Sequence, residues 1–278
     1  MTLHLIAQNT LILTAAEFVI KGIALVFNFI LVRLLTVNAF GDYNLVLAFV
    51  GIFSFLPDLG VSLIAVRDLA AQPKNYPRLV GQTLIINLVF SFISFLIILA
   101  LFPIYFRNQS FAVFVILAGI TLMLTSLRTV AKLGFDAAQR MSVSATFTII
   151  NSLFSVSGSL IGFFITRNLF GLFAGNLLAT LLSLILEWGI ILRFLPLPSL
   201  SFNLAKLVPF AKQGLPLSLA TATALITTKL DTLILGRLLT SLEVGWYVAA
   251  TTLIFAVIQL FNVPLMVAAY PALGQAKT

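Results

Sequence analysis

The sequence has no cysteine and a single histidine, His4. A structural disulfide, a His/Cys metal cluster and a Ser-His-Asp triad are therefore excluded. No cofactor, catalytic residue or metal site is expected. Charge is scarce too. Asp, Glu, Lys and Arg together make up 9% of the 278 residues, against roughly 25% in an average soluble domain. So few charges cannot cover the surface of a soluble protein of this size, which excludes a water-soluble enzyme. A disordered chain is excluded on the same composition. Polar connections are short, and the longest, around 67–78, holds one acid, Asp68. That leaves no extramembrane platform for a membrane-bound glycosyltransferase.

What remains is apolar. Hydrophobic residues are 61% of the chain, with 26 Phe. Residues 79–106, 108–127, 141–166, 168–186 and 244–276 carry no charge at all. Each is near or above the ~18–20 residues that cross hydrocarbon as a helix. Three further apolar segments hold one or two charges. The pattern predicts eight transmembrane helices, near 11–32, 43–66, 80–105, 111–127, 143–166, 169–191, 214–236 and 245–270. A β-barrel is excluded, because its strands alternate polar and apolar over about 10 residues and these runs do not. The first span is too long for a cleaved signal peptide, and Glu17 and Lys21 lie inside it.

The net charge of +8 does not point to nucleic acid in so apolar a chain. It points to loops that face anionic lipid. Connections after even-numbered spans hold Arg67, Lys74, Arg78, Arg128, Lys132, Arg140, Arg193, Lys206 and Lys212. Those after odd-numbered spans hold only Arg33, Arg107, Arg167 and Arg237. The positive-inside rule then places the N-terminus and the even-numbered connections in the cytoplasm.

The chain also repeats itself. Arg33-Leu34-Leu35-Thr36 is followed by Gly41 and Tyr43. Arg237-Leu238-Leu239-Thr240 is followed by Gly245 and Tyr247. The offset is 204 residues without a gap. It pairs the first two spans with the seventh and eighth, in the same orientation. That is a parallel repeat with a six-helix unit, as in some secondary transporters.

Further motifs carry a family resemblance. Lys21-Gly22 lies in the first span, followed by Leu34-Leu35 and Phe40-Gly41-x-Tyr43. Asp58-Leu59-Gly60 and Val66-Arg67-Asp68 follow. The seventh span carries Leu230-Asp231-x-Leu233-Ile234-Leu235-Gly236, then Glu243-Val244-Gly245-x-Tyr247. The eighth ends in Tyr270-Pro271-x-Leu273. In order and spacing the chain resembles Wzx-type polysaccharide repeat-unit flippases of the multidrug/oligosaccharidyl-lipid/polysaccharide superfamily. The resemblance implies an all-α bundle of two six-helix lobes about a central cavity. It implies translocation of undecaprenyl-pyrophosphate-linked oligosaccharides by alternating access during lipopolysaccharide or exopolysaccharide synthesis. It implies a bacterial cytoplasmic membrane, contact with the polymerase and assembly machinery, and H+ or Na+ as a coupling ion. On this reading 1–200 is a complete first lobe, 201–278 begins the second, and the remainder is missing. A cation/drug antiporter of the multidrug and toxin extrusion type and a non-transporting truncated membrane protein are the alternatives.

Charges within spans cost ~2.5–3.5 kcal/mol each at the bilayer centre, so each needs a reason. Lys21 lies about 10 residues into the first span, roughly 15 Å deep. With Glu17 it forms either a self-neutralising pair or a cationic cavity group for pyrophosphate or an acidic sugar. Asp58, after Pro57, either caps freed backbone, lines the cavity as a proton or cation site, or pairs with Arg67. Lys229 and Asp231 either bridge to the first two spans or line the cavity. Glu187, beside Trp188, reads as an interfacial anchor. Arg67, Arg78 and Arg140 either fix topology or meet lipid pyrophosphate on the cytoplasmic side.

Overall fold

The computed structural model describes residues 3–200, 204–255 and 258, with side chains for 9–200, 207–255 and 258. The described residues are helical throughout apart from short connections, and no strand occurs among them. The helices are α1 (Leu3–Leu34), α2 (Val37–Ile52), α3 (Val61–Ala71), α4 (Tyr76–Tyr105) and α5 (Ala112–Ala137). They continue as α6 (Met141–Thr166), α7 (Leu169–Phe194) and α8 (Leu204–Leu238), then α9 (Ser241–Phe255). Seven helical segments are long and apolar enough to span a bilayer. The chain is an all-α integral membrane bundle. The eighth expected span is seen as α9. Its remainder past Phe255, apart from Ile258, and the Tyr270-Pro271-x-Leu273 motif lie outside the described residues.

The second expected span is not one helix. α2 ends at Ile52, a 3-10 turn covers Phe53–Phe55, and α3 starts at Val61. Pro57 has no N–H to donate. Leu59 and Gly60 then take left-handed backbone, φ 45° and 71°. A break at membrane depth must satisfy its own backbone. Ser94 Oγ donates to Phe53 O at 3.3 Å and Ser218 Oγ to Phe55 O at 3.5 Å. Gly60 and Gly214 let the break press directly on α8, where a Cβ on Gly60 would sit 2.5 Å from Gly214 O.

The fourth expected span also differs. α5 runs ten residues past Leu127, to Ala137, so Arg128 and Lys132 are helical rather than loop residues. The other helices likewise take in Arg67, Arg78, Arg193, Lys206 and Lys212 of the even-numbered connections, and Arg33 and Arg237 of the odd-numbered ones.

α5 lies at the centre, packed by α2, α3, α4 and α7. α6 and α7 form the tightest pair. Gly158 and Gly162 of α6 meet Gly175 and Gly171 of α7, and a Cβ on Gly162 would lie 2.1 Å from Gly171 O. In hydrocarbon, with no hydrophobic drive between helices, such backbone contact supplies the packing. α1 lies mainly against α6, and α8 against α2 and α3.

The repeat is built into the backbone. α1 ends at Leu34 and α8 at Leu238. α2 begins at Val37 and α9 at Ser241. Leu35 N bonds Leu31 O and Leu239 N bonds Leu235 O; Phe40 N bonds Thr36 O and Val244 N bonds Thr240 O. Every partner is shifted by 204 residues. The two copies touch reciprocally as well. A Cβ on Gly41 would lie 1.9 Å from Ser241 O, and one on Gly245 would lie 2.3 Å from Val37 O. Reciprocal contact of this kind is what a local two-fold axis produces.

Candidate functional site

Side chains on α1, α2, α5, α6 and α7 enclose a cleft of about 400 Å³. Its polar lining is neutral: Tyr43, Thr121, Thr125, Ser152, Ser155 and Asn176. Asn176 Nδ2 donates to Ser155 Oγ at 2.5 Å and Ser159 Oγ at 3.3 Å. A few residues along the same helices, Ser183 Oγ donates to Asn151 Oδ1 at 3.1 Å. None of Glu17, Lys21, Asp58, Lys229 and Asp231 lines this cleft.

Glu17 and Lys21 form the pair that their spacing predicts, 3.9 Å apart. Both side chains stay open, at 58% and 42% exposure. The pair sits on a face of α1 that no described helix covers.

Asp58 does not meet Arg67, which instead bridges the adjacent Asp68 at 2.8 Å. Nor does it cap α3, whose first turn has no side-chain cap. Its Oδ1 accepts from Ser62 Oγ and, at 3.4 Å, from Asn87 Nδ2 of α4. Asp58 thus faces α4.

Asp231 is held by the next helix rather than by the first two spans. Tyr247 Oη of α9 donates to its Oδ2, and Thr232 N to its Oδ1 at 2.6 Å. Lys229 is half-buried, and no ion pair joins it among the described residues. Two residues apart on one helix, Lys229 and Asp231 lie on different faces of α8.

Arg78 lines a polar pocket of about 360 Å³ with Asp68, Gln72 and Asn75, at the start of α4. Arg67 lies beside this pocket through its bond to Asp68. Arg140 is exposed at the start of α6, a different connection.

One ionic feature has no counterpart in the sequence reading. Arg128 of α5 and Glu187 of α7 form a two-point bridge, with Nε to Oε2 at 2.9 Å and Nη2 to Oε1. Their side chains are 6% and 4% exposed. Glu187 is therefore not an interfacial anchor, and Arg128 is not loop charge. One turn on, Lys132 donates to Thr148 Oγ1 at 3.0 Å. A sequence signal did exist. The uncharged stretches 108–127 and 168–186 end on charges of opposite sign, Arg128 and Glu187. Breaking such a buried pair costs ~3–5 kcal/mol, since it strands one charge.

Among the described residues no group of three or more His, Cys, Asp or Glu is placed to hold a metal.

A family model described as polysaccharide biosynthesis protein matches residues 6–277. No curated protein and no solved structure matches the chain.

Proposed function

Because the chain belongs to the polysaccharide biosynthesis protein family, we propose that it is a repeat-unit flippase of the Wzx type. On this reading it carries undecaprenyl-pyrophosphate-linked oligosaccharide from the inner to the outer leaflet of the bacterial cytoplasmic membrane. It breaks no covalent bond of its substrate. Its N-terminus is cytoplasmic, and it hands its cargo to the polymerase and assembly machinery. Residues 1–200 and 201–278 belong to two lobes that rock against each other.

The observation that carries the reading is Lys21. A cation roughly 15 Å into a span stands on an uncovered helix face, with 42% of its side chain open. Burial against a neighbouring helix would have marked it as structural. An open ammonium at that depth suits a pyrophosphate or an acidic sugar. It suits a cationic drug poorly, which disfavours the antiporter reading. Glu17, one turn away, moderates its charge while no substrate is bound. Arg67, Arg78 and Arg140 form the cytoplasmic basic surface that first meets the pyrophosphate.

The test is Lys21→Ala introduced at the native locus. Surface polysaccharide is expected to fall sharply, with lipid-linked units accumulating and membrane levels of the protein unchanged. Lys21→Arg is expected to retain most export. Normal polymer in Lys21→Ala would make the pair with Glu17 structural and remove this role.

A further inference from the structure

The neutral cleft has no task in the reading of Lys21. Its lining runs from Ala24 to Asn176, so it lies inside the first lobe and not in the space between lobes. Thr125 lies thirteen residues past the start of α5, and Lys21 thirteen residues before the end of α1. Those two helix ends share one apolar cluster, through Leu34 and Phe114, which sets Thr125 and Lys21 at one level. Tyr43 and Asn176 are six and seven residues into α2 and α7, about 10 Å from the same end of the bundle. The cleft thus runs from the level of Lys21 toward that end. Ala24, exposed at its rim, is one helical turn from Lys21.

The polar groups of the cleft are unspent. Tyr43 is 8% exposed, and its hydroxyl has no partner among the described residues. The same holds for Ser152 Oγ. Asn176 commits its N–H groups to Ser155 and Ser159, which leaves its Oδ1 an open acceptor. Thr121 and Thr125 turn their O–H groups back on Leu117 O and Thr121 O, both at 2.8 Å, and keep oxygen lone pairs free. Tyr43 and Ser152 therefore offer donors, and Asn176, Thr121 and Thr125 offer acceptors.

The rest of the wall is apolar and includes the rings of Phe27, Tyr43 and Phe173. Buried hydroxyls and amides cost free energy unless they are bonded. A lipid tail would cover the rings and strand the polar groups. A cationic ligand would meet no carboxylate, and an anionic one no cation. A sugar ring satisfies both halves of the wall. Its hydroxyl edge meets the polar groups, and its C–H faces lie on the negative faces of aromatic rings. A volume of about 400 Å³ is near the lower end of small-ligand sites, ~300–1,000 Å³, and suits part of a repeat unit.

We propose that this cleft selects the sugar of the substrate: it holds an uncharged ring, a hexose or an N-acetylhexosamine, and rejects a uronic acid. The proposal rests on the flippase reading and narrows it. Lys21 then serves the pyrophosphate and not an acidic sugar, while Tyr43, Ser152 and Asn176 decide which ring fits. A uronate carboxylate placed among them would lose its water and gain no cation.

Binding is read on the purified 278-residue chain in a detergent without a sugar headgroup. Saturation-transfer NMR is recorded with the methyl glycosides of glucose, galactose, mannose, N-acetylglucosamine, N-acetylgalactosamine, glucuronic acid and galacturonic acid, each titrated through the millimolar range. A saturable signal is expected from at least one neutral glycoside and from neither uronate. Tyr43→Phe and Ser152→Ala each remove a hydroxyl without stranding a protein partner. Each is expected to weaken binding about 3–10-fold, as for loss of one neutral hydrogen bond, with the thermal unfolding midpoint unchanged. A purely structural role would move the midpoint instead. Thr223→Ala, on an exposed face of α8, is expected to bind as wild type. Should Tyr43→Phe misfold, Ser152→Ala carries the test. Absence of saturable binding by any neutral glycoside would overturn the proposal. So would equal binding of the uronates, or wild-type affinity in the folded variants. Export in Lys21→Ala cells is a separate readout. Normal export there would remove the role of Lys21 and leave glycoside binding as measured. Lost export there, with no glycoside bound by the wild type, would overturn sugar selection alone.

Discussion

The α1–α2 and α8–α9 hairpins share a backbone and differ in chemistry. Their helix ends, first hydrogen bonds and glycine contacts repeat at an offset of 204 residues. Their charges do not. Lys21 and Glu17 of the first copy fall opposite Leu225 and Thr221 in the second. Phe27 and Tyr43 face the same cleft in the first. Their counterparts Asp231 and Tyr247 form a hydrogen bond in the second. Even the helix starts differ in means. Thr36 Oγ1 accepts from Ala39 N in the first, whereas Thr240 donates N–H and Oγ–H to Glu243 in the second. Geometry at the contact is held in common, while polar function is assigned to one copy at a time.

The sharpest break would come from topology. A parallel repeat requires both connections to face the same side. The chain has no cysteine, so single cysteines at Asn38 and Leu242 report cleanly. Both are expected to react with an impermeant thiol reagent in intact cells, while cysteines at Asn75 and Gln139 stay unlabelled. Labelling at only one of Asn38 and Leu242 would end the parallel reading.

Next in size is the glycine contact. Gly41→Val places a side chain where a carbonyl already lies, and overpacking of this kind costs at least ~1–3 kcal/mol. Loss of folded protein from the membrane is expected, and the same for Gly245→Val. Gly22→Ala, with nothing within 4 Å of the added carbon, should accumulate normally.

A smaller effect separates the two tyrosines. Tyr247→Phe removes a donor to a carboxylate, worth ~1.5–3 kcal/mol. Tyr43→Phe should be nearly neutral, because no hydrogen bond of its hydroxyl occurs among the described residues. Thermal unfolding of the purified variants decides, and equal losses would erase the distinction. Smallest is the helix start: Thr36→Ala is expected to cost ~1 kcal/mol, read in the same assay.

Sequence made some of this legible. Charge-free length gave the helices, and i,i+4 spacing gave Glu17–Lys21. Pro57 and Gly60 foreshadow the break, although the apolar run 43–66 reads as one span. Length failed at Arg128, because a charge was taken to end a span. A charge stays inside a membrane bundle when another helix answers it, as Glu187 does. Nothing local announces such a partner. Arg128 and Glu187 are 59 residues apart, and Asn87 and Asp58 are 29 apart. Polar pairing between helices is set by which faces meet, and the folded bundle alone determines that.

The reciprocal glycine contact also has a mechanical consequence. Where side chains interlock, two helices must repack before they turn. At Gly41 bare backbone rests on bare backbone, and at Gly245 only the Val37 side chain joins the contact, so little stands in the way of a tilt. The point works as a fulcrum close to one end of each helix. α2, which carries Gly41, has 16 residues, about 24 Å at the helical rise. Each degree of tilt at the fulcrum would then carry its far end by about 0.4 Å at that length. A displacement too slight to disturb the glycines would be felt at the break where α2 ends.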